Sequence, residues 1–241
     1  MFLQKIINRI TNRDIKFDVK HQNLINADIL SQVQISELLD RDVYIPSTEY
    51  SLRPYTIAHI LNDILINNRK HVVEFGSGAS SIFICNLIQK NRTNCMLSSI
   101  DHDKEWQSSL QNQMRHPTEN VEFINAPLTP TNNGVLKVQH WYDEERLREM
   151  ITQKGKADLV IIDGPPGDIN DYARYPAVNF VAHNLTNDGL VIVDDTDRDF
   201  EQRIVKDLVK DHGFIENPSF RHVALSKIAG FNTNPIGRRL R

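Results

Sequence analysis

The chain has 241 residues, of which 40% are hydrophobic and 24% charged, with a formal net charge of -3. This length and composition suit one α/β domain, or such a domain with an added helical piece. The nearly balanced charge predicts no general affinity for nucleic acid or for an anionic membrane. No apolar run approaches the length of a transmembrane helix. We therefore expect a cytoplasmic protein.

The first residues and the cysteines agree with that expectation. Lys5 and Arg9 interrupt the first apolar residues, and no small-residue cleavage site follows, which argues against a signal peptide. Cys85 and Cys95 do not have the spacing of metal ligands. The sequence therefore predicts two reduced, buried thiols.

Residues 1–53 are polar, with helical patches around residues 24–39 and no strand signal, so we predict an N-terminal helical extension. Pro54 suits the first turn of the next helix. The apolar residues of that helix recur at helical spacing. They are Ile57, Ile60, Leu61, Ile64 and Leu65.

From His71 the pattern changes to alternating strands and helices, which predicts a parallel sheet covered on both faces over residues 54–230. The predicted strands are residues 72–75, 96–100, 121–124, 157–162 and 190–193, followed by an antiparallel pair at 214–215 and 222–225. The predicted helices are residues 80–89, 144–152, 172–185 and 199–212. Residues 231–241 are expected to form a basic, solvated tail.

The first strand ends in the sequence Glu-Phe-Gly-Ser-Gly, residues 74–78. Two glycines allow a sharp turn and a close approach to a ligand, and the next helix presents free N–H groups. Ser81 stands where a dinucleotide fingerprint requires a third glycine. The carboxylate of Glu74 would repel a pyrophosphate and attract a cationic ligand. An ordinary tight turn between strand and helix remains the alternative.

The second strand ends at Asp101, 23 residues after Gly78. A carboxylate at this position can accept hydrogen bonds from both ribose hydroxyls of a bound nucleoside. A surface aspartate without a ligand is the other interpretation, and the preceding glycine turn favours the ribose contact.

These motifs, together with the sequence Asp-Leu-Val-Ile-Ile-Asp-Gly-Pro-Pro-Gly at residues 158–167, resemble class I S-adenosylmethionine-dependent methyltransferases. The resemblance covers roughly residues 55–228 and is most similar to poorly characterised bacterial members. It implies a Rossmann-like, doubly wound sheet of seven mostly parallel strands, whose last strand is antiparallel. It also implies S-adenosylmethionine as cofactor, with the ammonium and sulfonium that Glu74 could attract.

The resemblance assigns cofactor contacts at the strand ends. The first-strand turn would flank the methionine part, Asp101 would hold the ribose, and the residues after the second and third strands would lie near the adenine. The expected cofactor-binding residues are Glu74, Gly76, Ser77, Gly78, Asp101, His102, Asn125, Ala126 and Asp163.

Three carboxylates are expected to meet at the same rim of the sheet, because Asp163 ends the fourth strand and Asp194 and Asp195 end the fifth. Such like charges require a cation, a substrate amine or a bound proton. The layout resembles catechol-type O-methyltransferases, which implies Mg²⁺ as a second cofactor held by these three residues. Pro166 replaces the lysine of that family, however, and the alternative is that the aspartates cap helices or bind backbone amides.

Two further residues are candidates for the acceptor side. Arg174 could bind an anionic substrate group or pair with a carboxylate. His140 is a candidate base because its usual pKa is near neutrality, and a packing role is the alternative. We expect Asp163, His140 and Asp194 to be the catalytic residues.

The asparagine-proline motif typical of many amino-group methyltransferases is absent after the fourth strand, which favours oxygen as acceptor. The predicted function is O-methylation of a small hydroxylated molecule, such as a sugar or another metabolite. A nicotinamide-dependent oxidoreductase and a non-catalytic S-adenosylmethionine-binding protein are the alternatives. The sequence does not specify the oligomeric state.

Overall fold

The computed structural model describes residues 19, 21–40, 44–114, 118–131, 140–219 and 221–236. The amino-terminal segment considered as a signal peptide and the last arginines of the basic tail lie outside the described residues. Among the described helices, none has the length and apolar character needed to cross a bilayer.

The described chain folds as helices and strands in alternation. The helices are α1 at residues 21–36, α2 Pro54–Ile66, α3 Ala79–Lys90, α4 Lys104–Gln113, α5 Glu144–Lys154, α6 Ala177–Asn184 and α7 Asp199–His212. The strands are β1 His71–Phe75, β2 Met96–Asp101, β3 Val121–Asn125, β4 Leu128–Pro130, β5 His140–Tyr142, β6 Ala157–Ile162, β7 Leu185–Val193, β8 Ile215–Pro218 and β9 Val223–Ser226.

Seven strands form one sheet in the order β3-β2-β1-β6-β7-β9-β8, and β4 and β5 form a separate antiparallel pair. The strands β3, β2, β1, β6 and β7 are parallel, whereas β9 runs antiparallel to both β7 and β8. The expected seven-stranded, mostly parallel sheet with an antiparallel last strand is therefore confirmed.

The order of the strands reverses between β1 and β6. From β1 the chain proceeds outward through β2 and β3 and then returns to place β6 on the other side of β1. In sheets of this kind, ligands bind beyond the carboxyl ends of the strands at the point of reversal. That point lies between the turn after β1 and Asp163, which follows β6.

Both faces of the sheet are covered, as the continuous apolar strands predict. Side chains alternate along a strand, so that Val73 belongs to an apolar cluster with residues of α5, α6 and α7, and the adjacent Val72 to a second cluster with residues of α1, α2 and α3. Ile35 of α1 belongs to the second of these clusters. After β9 the chain returns to α2, where the hydroxyl of buried Thr233 lies 3.0 Å from Nε2 of His59.

The main departure from the predicted elements is at α6 and β7. The predicted helix over residues 172–185 begins only at Ala177, and Tyr172, its predicted first residue, has φ 57°, outside the helical region. Strand β7 begins at Leu185, which pairs with Ala157, and regular pairing resumes at Leu190 after an irregularity. Residues 186–189, between the predicted helix and the predicted strand, therefore lie within an interrupted strand.

Candidate functional site

The backbone of the turn after β1 lies close to the backbone that follows β6. Gly76 has φ +96°, a conformation that favours glycine, and its N–H donates to the carbonyl of Ile100 at 2.9 Å. A Cβ on Gly76 would lie 3.1 Å from backbone atoms of Asp163 and Gly164. The glycine therefore allows the two strand ends on either side of the reversal point to approach each other.

Glu74 lies beneath this turn with its carboxylate fully buried. Three serine hydroxyls donate to it, from Ser80 at 2.6 Å, Ser81 at 2.5 Å and Ser99 at 2.8 Å. Burial raises the pKa of Glu74, and the serine hydrogen bonds oppose that rise. The attraction of Glu74 for a cationic ligand stays a prediction, since the groups that donate hydrogen bonds to its carboxylate are neutral serine hydroxyls.

Ser81 also explains the missing third glycine. The N–H of Gly78 donates to the hydroxyl of Ser81 at 3.0 Å, and that hydroxyl in turn donates to Glu74. The serine thus connects the glycine turn to the buried carboxylate. A glycine at this position would lack both hydrogen bonds.

Asp101 closes β2 at the same rim and is 7% exposed. One carboxylate oxygen accepts the backbone N–H of Ser77 at 2.9 Å and the other accepts that of Asp103 at 2.9 Å. The Nδ1 atom of His102 lies 3.1 Å from the carboxylate, and hydrogen bonding to Asp101 raises the pKa of His102. The oxygen that accepts from Ser77, Oδ2, has lone-pair capacity beyond that backbone partner, which the proposed ribose contact requires.

The end of β3 lies beside Asp101. Asn125 is paired with Asp101 in the sheet, and its side-chain amide donates to the carbonyls of Asp101 and His102 at 3.3 and 3.1 Å. Ala126 is fully buried and donates its N–H to the carbonyl of Asp101 at 2.9 Å. The structure thus brings the predicted adenine-side residues together with the predicted ribose ligand.

Two residues of α4, which the sequence analysis did not single out, hold the glycine turn. The indole N–H of Trp106 donates to the carbonyl of Ser77 at 2.7 Å. The amide of Gln107 lies within hydrogen-bond distance of the Ser77 hydroxyl at 3.1 Å. The sequence signal was weak because α4 is polar and buries only Gln107 and Leu110.

Tyr142, at the end of β5, is another residue that the sequence analysis missed. Its side chain is fully buried against Phe75, and its hydroxyl is a buried group without a hydrogen-bond partner among the described residues. A side chain on Gly164 would collide with this hydroxyl and with Gly76. Burial raises the pKa of Tyr142 well above its usual value, so the hydroxyl remains a donor. It lies at the point of strand reversal.

The three aspartates predicted at the acceptor side do meet. Carboxylate oxygens of Asp163, Asp194 and Asp195 lie within 4.8 Å of one another. Burial raises the pKa of Asp163 well above its usual value. Burial and the neighbouring Asp195 raise the pKa of Asp194 to about 7, and Oδ1 of Asp194 is buried without a partner among the described residues.

Arg174 enters this carboxylate cluster from the segment after β6. Its guanidinium lies 3.3 Å from Asp163 Oδ1 and 3.3 Å from Asp195 Oδ2. Of the two interpretations of Arg174, the geometry matches pairing with carboxylates, and the residue is only 5% exposed. His140, the other candidate, is half-buried, and its backbone N–H donates to Asn170 Oδ1 at 2.9 Å. Its role as a base stays a prediction.

A methyltransferase-domain family model matches residues 73–196, which include the strand ends that form the candidate site. A sequence comparison with curated proteins found no match. An SAH-bound methyltransferase from Podospora anserina has a similar fold, with a TM-score of 0.52, 11% identity, and coverage of 90% of this chain and 95% of that chain.

An O-methyltransferase from Bacillus cereus in complex with SAH is also similar in fold. Its TM-score is 0.51 with 12% identity, and the alignment covers 75% of this chain and 84% of that chain. These identities support the fold alone, whereas the family model covers more than half of the chain. The chain belongs to this methyltransferase-domain family, within the class I S-adenosylmethionine-dependent superfamily.

Proposed function

We propose that this chain transfers the methyl group of S-adenosylmethionine to a hydroxyl of a small molecule, such as a sugar or another metabolite. The observation that carries the proposal is the arrangement around the strand reversal. Asp101 and the Gly76 turn lie on one side of that point, and the carboxylates around Asp163 lie on the other. A cofactor side and an acceptor side are therefore adjacent.

On the cofactor side, the methionine part is proposed to lie against Gly76, Ser77 and Gly78, and the ribose hydroxyls to donate to Asp101. The adenine is proposed to lie among the residues that follow β2 and β3, which are His102, Asn125 and Ala126. S-adenosylmethionine supplies an activated methyl group on a sulfonium, which is already a good leaving group. The task of the protein is to align the acceptor with that methyl group.

On the acceptor side, a hydroxyl must lose its proton as it is methylated. Asp163 and Asp194 are the proposed catalytic carboxylates, because burial raises the pKa of each above its usual value and makes it a better proton acceptor. His140 remains a second candidate for this role. The structural neighbour from Bacillus cereus is an O-methyltransferase, and the chain lacks an asparagine-proline motif after β6; both observations support oxygen as acceptor.

The test has a binding part and a turnover part. Calorimetry should show binding of S-adenosylhomocysteine and none of NADH, whereas the reverse result would indicate an oxidoreductase. Turnover is then measured with a panel of sugars, catechols and other hydroxylated acceptors by release of S-adenosylhomocysteine. Binding without turnover on any acceptor would contradict the proposed reaction and favour a non-catalytic binding protein.

A further inference from the structure

Each of the three guanidinium nitrogens of Arg174 faces an oxygen atom. Besides the contacts with Asp163 and Asp195, its Nε donates to the carbonyl of Pro165 at 3.2 Å and lies 3.9 Å from Oε1 of Glu201. With 5% of its surface exposed, the side chain is fixed within the cluster rather than extended over it.

Arginines offset part of the negative charge of the cluster, and one of them, Arg221, also lies 3.5 Å from exposed Asp197. Arg198 and Arg221 each lie 3.0 Å from a different oxygen of Asp195. Among the described residues, three guanidinium groups therefore face four carboxylates. The carboxylates are Asp163, Asp194, Asp195 and Glu201.

A divalent cation does not fit this arrangement. Mg²⁺ requires oxygen ligands at close to octahedral positions and with free lone pairs. Here the guanidinium of Arg174 lies against Asp163 Oδ1 and Asp195 Oδ2, and both oxygens of Asp195 face a second or third arginine. A metal bound to the same oxygens would be in contact with the positive charge of Arg174.

We propose that Arg174 is the resident cation of this cluster, and that the chain therefore binds no divalent metal there. If the proposed methyl transfer holds, the acceptor is bound by hydrogen bonds to carboxylates instead of by chelation. Chelation requires two adjacent oxygen atoms on the acceptor, whereas a hydrogen bond requires one. A molecule with a single hydroxyl then suffices as acceptor.

The first experiment measures Mn²⁺ binding by electron paramagnetic resonance, which detects the free ion. The wild-type chain should bind no Mn²⁺ up to about millimolar concentration. Arg174→Gln leaves the carboxylates without their cation, so it should bind Mn²⁺ with a dissociation constant at least roughly tenfold below that limit. Arg174→Lys retains the positive charge and should bind no Mn²⁺. Arg203→Gln removes an arginine that is paired with Asp207 outside the cluster, and it is the matched control.

The wild-type chain decides the question even if Arg174→Gln fails to fold. Binding of Mn²⁺ to the wild type at about micromolar concentration, abolished by Asp194→Asn, would overturn the proposal. So would a well-folded Arg174→Gln that gains no affinity for Mn²⁺. S-adenosylhomocysteine binding is measured on the same samples, so that loss of the proposed function is distinguished from failure of the metal inference.

Discussion

The carboxylate of Asp101 accepts the backbone N–H of Ser77 at 2.9 Å, so that the last residue of β2 holds the turn that follows β1. Its second oxygen accepts the N–H of Asp103. Asp101, which is proposed to bind the ribose, therefore also connects the end of β2 to the turn after β1. A substitution at Asp101 should therefore lower both the free energy of unfolding and the affinity for the cofactor, and the two losses can be measured separately.

Asp101→Ala should weaken binding of S-adenosylhomocysteine by about 1.5–3 kcal/mol, because it removes hydrogen bonds to a charged acceptor. It should also lower the free energy of unfolding, by about 1–2 kcal/mol, because two backbone N–H groups lose their partner. Calorimetry measures the binding and urea titration the unfolding.

Asp158→Ala is the matched control for this prediction. The carboxylate of Asp158 likewise accepts two backbone N–H groups, from Lys70 at 2.7 Å and His71 at 3.0 Å. This contact lies at the amino-terminal ends of β1 and β6, away from the candidate site. It should lower stability and leave the dissociation constant of S-adenosylhomocysteine unchanged. Equal dissociation constants for the wild type and Asp101→Ala would rule out the ribose contact.

The sequence predicted the elements whose apolar pattern or end signals are strong. Strand β6 and helix α7 have the predicted bounds, because one is apolar except for Asp158 and the other is amphipathic and is capped by Gly213, which has φ 72°. The glycine turn, Asp101 and the three aspartates were also placed at one rim, since parallel strands deliver their carboxyl ends together.

The parts that the sequence did not reveal depend on tertiary contacts. The β4–β5 pair consists of strands of three residues each, too short for a periodic pattern. Tyr142 stands next to Trp141 in the sequence, but only the approach of Gly164 to its hydroxyl marks it as part of the site. The ion pairs of Arg174 were one of two open interpretations, because a sequence does not show which way a loop side chain points.

Tyr142→Phe should weaken binding of S-adenosylhomocysteine by about 0.5–1.5 kcal/mol without lowering the stability of the free protein. The hydroxyl has no partner among the described residues, so its removal relieves a buried, unsatisfied donor. A ligand at the strand reversal would supply the missing acceptor. Calorimetry and thermal unfolding of the same samples measure both effects.

The control for Tyr142→Phe is Tyr175→Phe. The hydroxyl of Tyr175 donates to Asp207 at 2.7 Å, so its removal should lower the free energy of unfolding by about 1 kcal/mol and leave ligand binding unchanged. Unchanged binding in Tyr142→Phe would exclude the hydroxyl from the ligand contacts.

Gly76→Ala should lower the free energy of unfolding by about 1–3 kcal/mol, because the new Cβ meets the backbone after β6 in a conformation with positive φ. Gly213→Ala separates the two causes, since Gly213 has φ +72° and nothing within 4 Å of its Cβ position. Urea unfolding should show a larger loss for Gly76→Ala than for Gly213→Ala. Similar losses would contradict a steric role for the close approach.

The stability of the protein should fall in mild acid, in part because of His71. Burial lowers the pKa of His71 below the usual histidine value of 6.5, and its ring nitrogens face the carbonyl of Gly155 at 3.1 Å and the hydroxyl of Ser98 at 3.0 Å. The unfolded chain therefore takes up this proton before the folded chain does. The contribution to stability is complete above pH 6.5 and is lost as the pH falls through the lower folded-state pKa.

His71→Gln removes the titrating group, so its stability should fall less than that of the wild type between about pH 7.5 and about pH 5. Urea unfolding at both pH values gives the difference between the two slopes. His183→Gln, at an exposed histidine of α6, controls for the loss of a histidine as such and should keep the wild-type slope. Identical slopes for the wild type and His71→Gln would show that proton uptake at other groups accounts for the acid sensitivity.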